Sequence, residues 1–257
     1  MALHAVRNNP LSDQVFDQLV AEIISGRYAA EATLPAERIL ATTLGVNRHV
    51  VREAIRRLEQ AGLVRVAQGG STRVLDYRKH AGLDLLWLLA EHARGGPETA
   101  RFWLGVLELR VAVGAEMARL CARRADRTVC TDLLRISREM RAAGDDATLY
   151  ALEVRFWDRV QDGADNVVCR LALNSMIKAS LAMGDVAQQW SAREARKSGF
   201  RQPIAEAIAK HDADAAEQLT RQSMRAVVEE FERALARPRE SAKPAPAKKR
   251  VRKRTSS

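Results

Sequence analysis

A mainly α-helical protein is what this sequence predicts, on three observations. The chain is rich in Ala, Leu, Arg and Glu with only 5% aromatic residues. Apolar residues recur at helical spacing along most of its length, and strand-pairing turn chemistry occurs at one place. With 257 residues, 47% hydrophobic and 29% charged, it is long enough for a packed core. The expected architecture is an N-terminal unit of three helices and a small β-hairpin at 8–78, an antiparallel bundle of about seven helices at 79–236, and a disordered basic tail at 237–257.

In the first unit, LSDQVFDQLVAEIISG places Val15, Leu19, Ile23 and Ile24 on one helical face, with Ser12 as N-cap and Gly26 as stop. After the loop YAAEATLP, AERILATTLG reads as a short second helix that begins behind Pro35 and ends at Gly45. NRHVVREAIRRLEQAG reads as a third, with Val50, Ala54, Leu58 and Ala61 at helical spacing and Gly62 as its stop. LVRVAQ and TRVLDY are β-type runs around GGS, which is hairpin chemistry. Three helices followed by a hairpin make a winged helix-turn-helix.

From about His80 to Ala236 the hairpin signals vanish and nearly everything fits helices of 15 to 27 residues interrupted by short breaks, with about seven helical segments from GLDLLWLLAEHA to DADAAEQLTRQSMRAVVEEFERAL. The end, RPRESAKPAPAKKRVRKRTSS, cannot bury a core. It also explains the formal charge of +10: residues 237–257 hold nine Lys or Arg against Glu240, so the remaining 236 residues carry only +2. Three cysteines without zinc-ligand spacing fit a reduced cytoplasmic protein. The opening MALHAVRNNP lacks the apolar stretch of a signal peptide, and no run is long enough for a membrane span.

A helix that enters the major groove needs long donors near its N-terminal end, because Arg binds guanine O6 and N7 with two hydrogen bonds. Arg48, Arg52 and Arg56 lie four apart on one face of the third helix, with Asn47 and His49 at its tip and Arg38 on the preceding helix. At the hairpin tip, Gln68, Gly69 and Gly70 allow close backbone approach to a minor groove, and Arg73 is placed for the phosphate beside it. The plainer alternative is a solvated face, with the arginines paired to Glu53 and Glu59.

LPAERILATTLGVNRHVVREAIRRLEQAGLVRVAQGGSTRV resembles the DNA-binding domain of GntR-family transcription regulators, over about 65 residues from Leu11 to Val74. Residues 80 to 236 more loosely resemble the effector domain of the FadR-like subfamily. The resemblance implies base or phosphate contacts by Arg38, Asn47, Arg48 and Arg52, with Gln68 and Gly69 at the wing. Asn47 stands where Ser or Thr is usual, and His49 and Val50 replace a common Thr-Pro pair.

Many members of that subfamily hold a divalent metal with an Asp and three His, and an organic acid completes the coordination. Their Asp-x-x-Phe-His signature aligns with Glu153-Val154-Arg155-Phe156-Trp157, and the later His positions align with Arg201 and Ser223. One ligand of four survives, so no metal and no cofactor are expected; nor does any histidine occur between His92 and His211. Two interiors fit this pattern. In one, Trp157 fills the metal's space and Glu153, Arg201, Arg110 and Asn174 surround an anionic, partly apolar ligand. In the other, the site is collapsed, with Arg201 paired to Glu153 and Trp157 in the core. Arg110 serves equally as an interhelical ion pair, and Asn166 as a helix cap. The best-known metal-free relatives bind acyl-coenzyme A.

The expected function is a homodimeric DNA-binding regulator, a repressor released by a small organic effector. The alternative is a constitutive architectural DNA-binding protein with no effector. Expected partners are double-stranded DNA, a second copy of the chain and the effector, with no membrane. An enzyme is not expected, because the chain has no phosphate loop, nucleophile elbow or HExxH.

Overall fold

The computed structural model describes residues 11–67, 70–93, 95–182, 184, 199 and 201–236. The first helix, α1 (Leu11–Ile24), buries Val15, Phe16, Leu19, Val20 and Ile23. Ser12 is the second residue of this helix rather than its cap. α2 (Glu37–Leu44) ends where Gly45 takes φ 66°, a left-handed conformation that glycine adopts without a side-chain clash. Two residues later α3 (Arg48–Gln60) begins at Asn47, whose side-chain oxygen accepts from Val50 N at 3.0 Å.

α3 buries Val51, Ala54, Ile55 and Leu58. Of the expected stripe, Ala54 and Leu58 are buried while Val50 and Ala61 pack half-buried against the same core; Val51 and Ile55 widen the buried face, across which α1 packs. Arg57 locks that crossing: it pairs with Asp13 and its guanidinium lies 4.2 Å from the Phe16 ring centre.

The hairpin pairs β1 (Val64–Val66) with β2 (Thr72–Val74) antiparallel, Val64 opposite Val74 and Val66 opposite Thr72. The segment read as a loop between α1 and α2 lies along β2, with Leu34 N donating to Thr72 O and Val74 N to Ala32 O, both at 2.8 Å. The wing is thus fastened to the helical unit on one edge. β2 ends at Val74, and the rest of TRVLDY leads into a single turn, α4 (Tyr77–His80), capped by Asp76.

The second half contains α5 (Leu85–Glu91), α6 (Gly96–Arg124), α7 (Arg127–Ala142), α8 (Asp146–Ala164), α9 (Val167–Leu181), α10 (Arg201–Ala209) and α11 (Ala213–Ala236). Among the described residues these seven helices follow in the expected order, but α5 spans 7 residues, α10 9 and α6 29, outside the expected lengths. Gly95, at φ 84°, precedes α6, which opens at Gly96 with φ 85°. Asp126, Asp145 and Asn166 cap α7, α8 and α9 through their side-chain oxygens. α6 is the central helix, with α11 and α8 packed on it and α10 bridging α7 and α11. Among its core residues are Met117, Leu133, Phe156, Val160, Ile204 and Ile208.

Two features bear on the site. His211, in the turn between α10 and α11 at φ 57°, bonds the Ala122 carbonyl through Nδ1 at 2.8 Å, so this histidine serves the fold. α5 joins the two halves: Leu85 is buried in the N-terminal core, Leu88 and Leu89 pack against that core, and α5 also packs against α9.

The α6–α8 crossing depends on Gly163, where a Cβ would fall 2.6 Å from Cys121 Sγ and 2.8 Å from Val129 Cγ1. Gly163→Ala is expected to cost about 1–3 kcal/mol by overpacking. Thermal unfolding checks this, against Gly144→Ala at a position with nothing within 4 Å.

Candidate nucleic-acid interface and effector cavity

On the N-terminal unit, the left-handed turn at Gly45 and the Asn47 cap set α3 so that Arg48, His49, Arg52 and Arg56 are exposed, with Arg38 exposed on α2. The buried side of α3 is wholly apolar, so the arginine face can only point outward. Arg73 is exposed on β2 and pairs with Glu31 at 3.3 Å. Gln68 and Gly69 lie outside the described residues; of the tip, Gly70 takes φ 85°. The basic tail also lies outside the described residues.

The arginine face is paired only in part as the plainer alternative has it. Arg56 approaches Glu53 at 3.8 Å, whereas Glu59 accepts from Val66 N at 2.9 Å and thereby ties α3 to the wing. The organising acid is Glu37, on the first turn of α2. Arg52 donates Nε to Glu37 Oε1 at 3.3 Å and Nη2 to Oε2 at 3.0 Å, and Arg48 Nη2 lies 3.8 Å from Oε2. The hydrogen bonds from Arg52 hold the Glu37 carboxyl below its ordinary range, and the same bonds raise Arg52. Glu37 does not stand out in the sequence, since it is separated from Arg52 by fifteen residues and by a turn whose angle brings the two together.

In the second half, a cavity of about 450 Å³ lies between α6, α8, α9 and α11, lined mainly by apolar side chains such as Trp103, Val106, Leu173, Met176 and Met224. That size lies within the usual range for small-molecule sites. Arg110, Glu153, Trp157 and Asn174 line it; Arg201 does not. Asn166 is the α9 cap instead, accepting from Cys169 N at 3.1 Å.

Arg201 is turned to Glu153, and the pair is buried with each side chain 4% exposed. Its Nε donates to Glu153 Oε2 at 2.8 Å, Nη2 to Oε1 at 2.5 Å and Nη1 to Ser223 Oγ at 2.8 Å. Trp157 Nε1 donates to Glu153 Oε1 at 2.7 Å, and the Arg201 guanidinium lies 5.1 Å from the Trp157 ring centre. Glu153, Trp157, Arg201 and Ser223, the four positions that the resemblance aligns with metal ligands, are thus linked in one hydrogen-bonded chain. Arg201 thus stands behind the cavity wall, with Glu153 and Ser223 accepting from it. The collapsed pairing and the cavity coexist, the first forming part of the wall of the second.

These residues do not fit a divalent cation. The one carboxylate is already neutralised, an indole N–H only donates, and a cation there would sit beside a fixed guanidinium. Among the described residues no three His, Cys, Asp or Glu side chains come together. No helix among the described residues is long and apolar enough to cross a membrane.

Residues 11–74 match the family model described as bacterial regulatory proteins, gntR family, and residues 105–226 match the FCD domain. The HTH-type transcriptional regulator Mce2R of Mycobacterium tuberculosis is 35% identical over 213 residues, 82% of this chain and 88% of that protein. A fatty acid metabolism regulator protein of Enterobacter sp. is 34% identical over 74 residues, 29% of this chain and 31% of that one. Among solved structures, that of Lar, which controls expression of the Listeria monocytogenes agr system, has the same fold. Its TM-score is 0.51 at 15% identity, over 89% of this chain and 99% of that one.

Proposed function

Since the chain belongs to the GntR family of bacterial regulatory proteins and carries an FCD domain behind its DNA-binding domain, we propose that it is a cytoplasmic, homodimeric repressor released by an organic effector. The operator is a short palindrome, because two copies of α3 must enter successive major grooves about 34 Å apart. Asn47, Arg48, His49, Arg52 and Arg56 read it, with Arg38 beside them and the wing residues Gln68, Gly69 and Arg73 on the adjacent groove. The effector is a small organic acid or acyl compound bound without metal in the cavity at Arg110, Glu153, Trp157 and Asn174. The basic tail adds sequence-independent attraction to phosphate.

One observation carries the ligand-responsive part. α9 contributes Leu173, Asn174, Met176 and Ile177 to the cavity and packs against α5, whose Leu85 is rooted in the DNA-binding core. A ligand that moves α9 therefore moves the element on which α1–α3 rest. Release follows only if the effector binds the DNA-incompetent arrangement more tightly than the DNA-bound one.

The test is selection from random duplexes by the purified protein, followed by affinity at two salt concentrations for the whole chain and for a chain ending at Arg237. A palindrome should emerge, with truncation flattening the salt dependence and leaving the preferred sequence unchanged. Acyl compounds and organic acids that raise the melting temperature should release the selected duplex. A pool that stays random, with binding lost on truncation, would overturn the specific-repressor reading in favour of an architectural protein.

A further inference from the structure

We propose that Glu37 is a positioning residue for base recognition, aiming Arg52 at the operator. The inference rests on the reading of Arg52 as a base-contacting residue.

A guanidinium offers two edges that each carry a pair of parallel donors: the side edge at Nε and one terminal nitrogen, and the end edge at the two terminal nitrogens. In Arg52 the side edge is occupied, Nε and Nη2 donating to the two oxygens of Glu37 at 3.3 and 3.0 Å. This leaves the end edge, with Nη1 and the second N–H of Nη2, which is the pair that guanine O6 and N7 accept. Arg52 remains about half exposed with its side edge held.

Such an exposed pair contributes little to folding, so stability does not account for the arrangement. Its physical effect is to hold a long, many-rotamer side chain in one plane before DNA arrives, which removes ordering entropy from the binding step. Glu37 also puts a negative charge between the two arginines that face the groove, Arg48 Nη2 lying 3.8 Å away. That charge opposes loose attachment of both guanidinium groups to phosphate, and so discriminates against non-specific DNA.

The test uses the full-length protein, the selected operator and a set of duplexes in which each base pair of the half-site is replaced in turn. Wild type, Glu37→Gln, Arg52→Ala and the double variant are compared, with random-sequence DNA as reference. Glu37→Gln should lose discrimination, by roughly tenfold, at the positions where Arg52→Ala loses it. Its affinity for random DNA should hold or rise, its melting temperature should not change, and the double variant should discriminate no worse than Arg52→Ala.

The proposal is overturned if Glu37→Gln keeps the wild-type profile while Arg52→Ala loses it. It is equally overturned if Glu37→Gln weakens all duplexes alike, random DNA included, which is what a purely structural residue would do. If Arg52→Ala itself leaves discrimination intact, the base-reading assignment of Arg52 fails and the positioning role falls with it.

Discussion

Glu153→Ala is expected to destabilise the C-terminal half by about 3–5 kcal/mol, the cost of breaking a buried ion pair by removing one of its partners. In the variant, the Arg201 side chain, 4% exposed, keeps its bond to Ser223 Oγ but loses the carboxylate that accepts from Nε and Nη2. Trp157 Nε1 loses its acceptor at the same time. For a unit of this size the loss corresponds to a fall of roughly 6–20 °C in melting temperature. Calorimetry reads it directly, and circular dichroism serves equally.

The magnitude does not mean that the pair adds that much to the fold. Replacing both partners by apolar residues of similar volume, Glu153→Leu with Arg201→Met, is expected to recover most of the loss, because no charge is then left buried. If Glu153→Ala melts like wild type, the carboxylate is not the partner that holds Arg201. If the double variant is as unstable as the single one, the network contributes stability of its own rather than only a penalty when broken.

Arg48→Ala is expected to weaken binding to the selected operator by about 2–6 kcal/mol, at about 1–3 kcal/mol for each lost two-donor contact and two copies per palindrome. Binding to random DNA should fall far less, since that term is spread over many phosphates and the basic tail. The readout is the ratio of operator to random affinity at fixed salt, by fluorescence anisotropy. An unchanged ratio would remove Arg48 from base reading. Arg56→Ala makes the useful contrast: it lies two turns further along α3 and is drawn toward Glu53 at 3.8 Å, so a smaller loss is expected. Neither substitution touches the buried face formed by Val51, Ala54, Ile55 and Leu58, and both variants should melt like wild type.

The order of elements was legible in the chain because it depends on local chemistry. Gly45 ends α2 and Asn47 starts α3 through its own side chain and backbone, with contacts no more than a few residues distant. The same holds for the hairpin around Gly70 and for the Asn166 cap. The exposed arginine face of α3 follows from helical spacing alone, and the poverty of the bundle in histidine follows from composition. Even there, the stripe read from spacing held Ala54 and Leu58 but not Val51 and Ile55, since spacing marks an apolar face without fixing how wide the buried part is.

What only the tertiary structure decided are the partnerships between residues distant in sequence. Whether Arg201 faces a ligand or Glu153 was undetermined while each was a charge on its own helix; the α8–α10 approach makes them partners across 48 residues, with Ser223 of α11 closing the set. The distance from Glu37 to Arg52 depends on the angle between α2 and α3, which no periodicity encodes. The link from cavity to DNA-binding core through α9 and α5 likewise exists only once the helices have packed. Hydrophobic pattern is a one-dimensional quantity and carries over to each element; charge pairing is a three-dimensional one, settled by which elements the core brings within about 3 Å of one another.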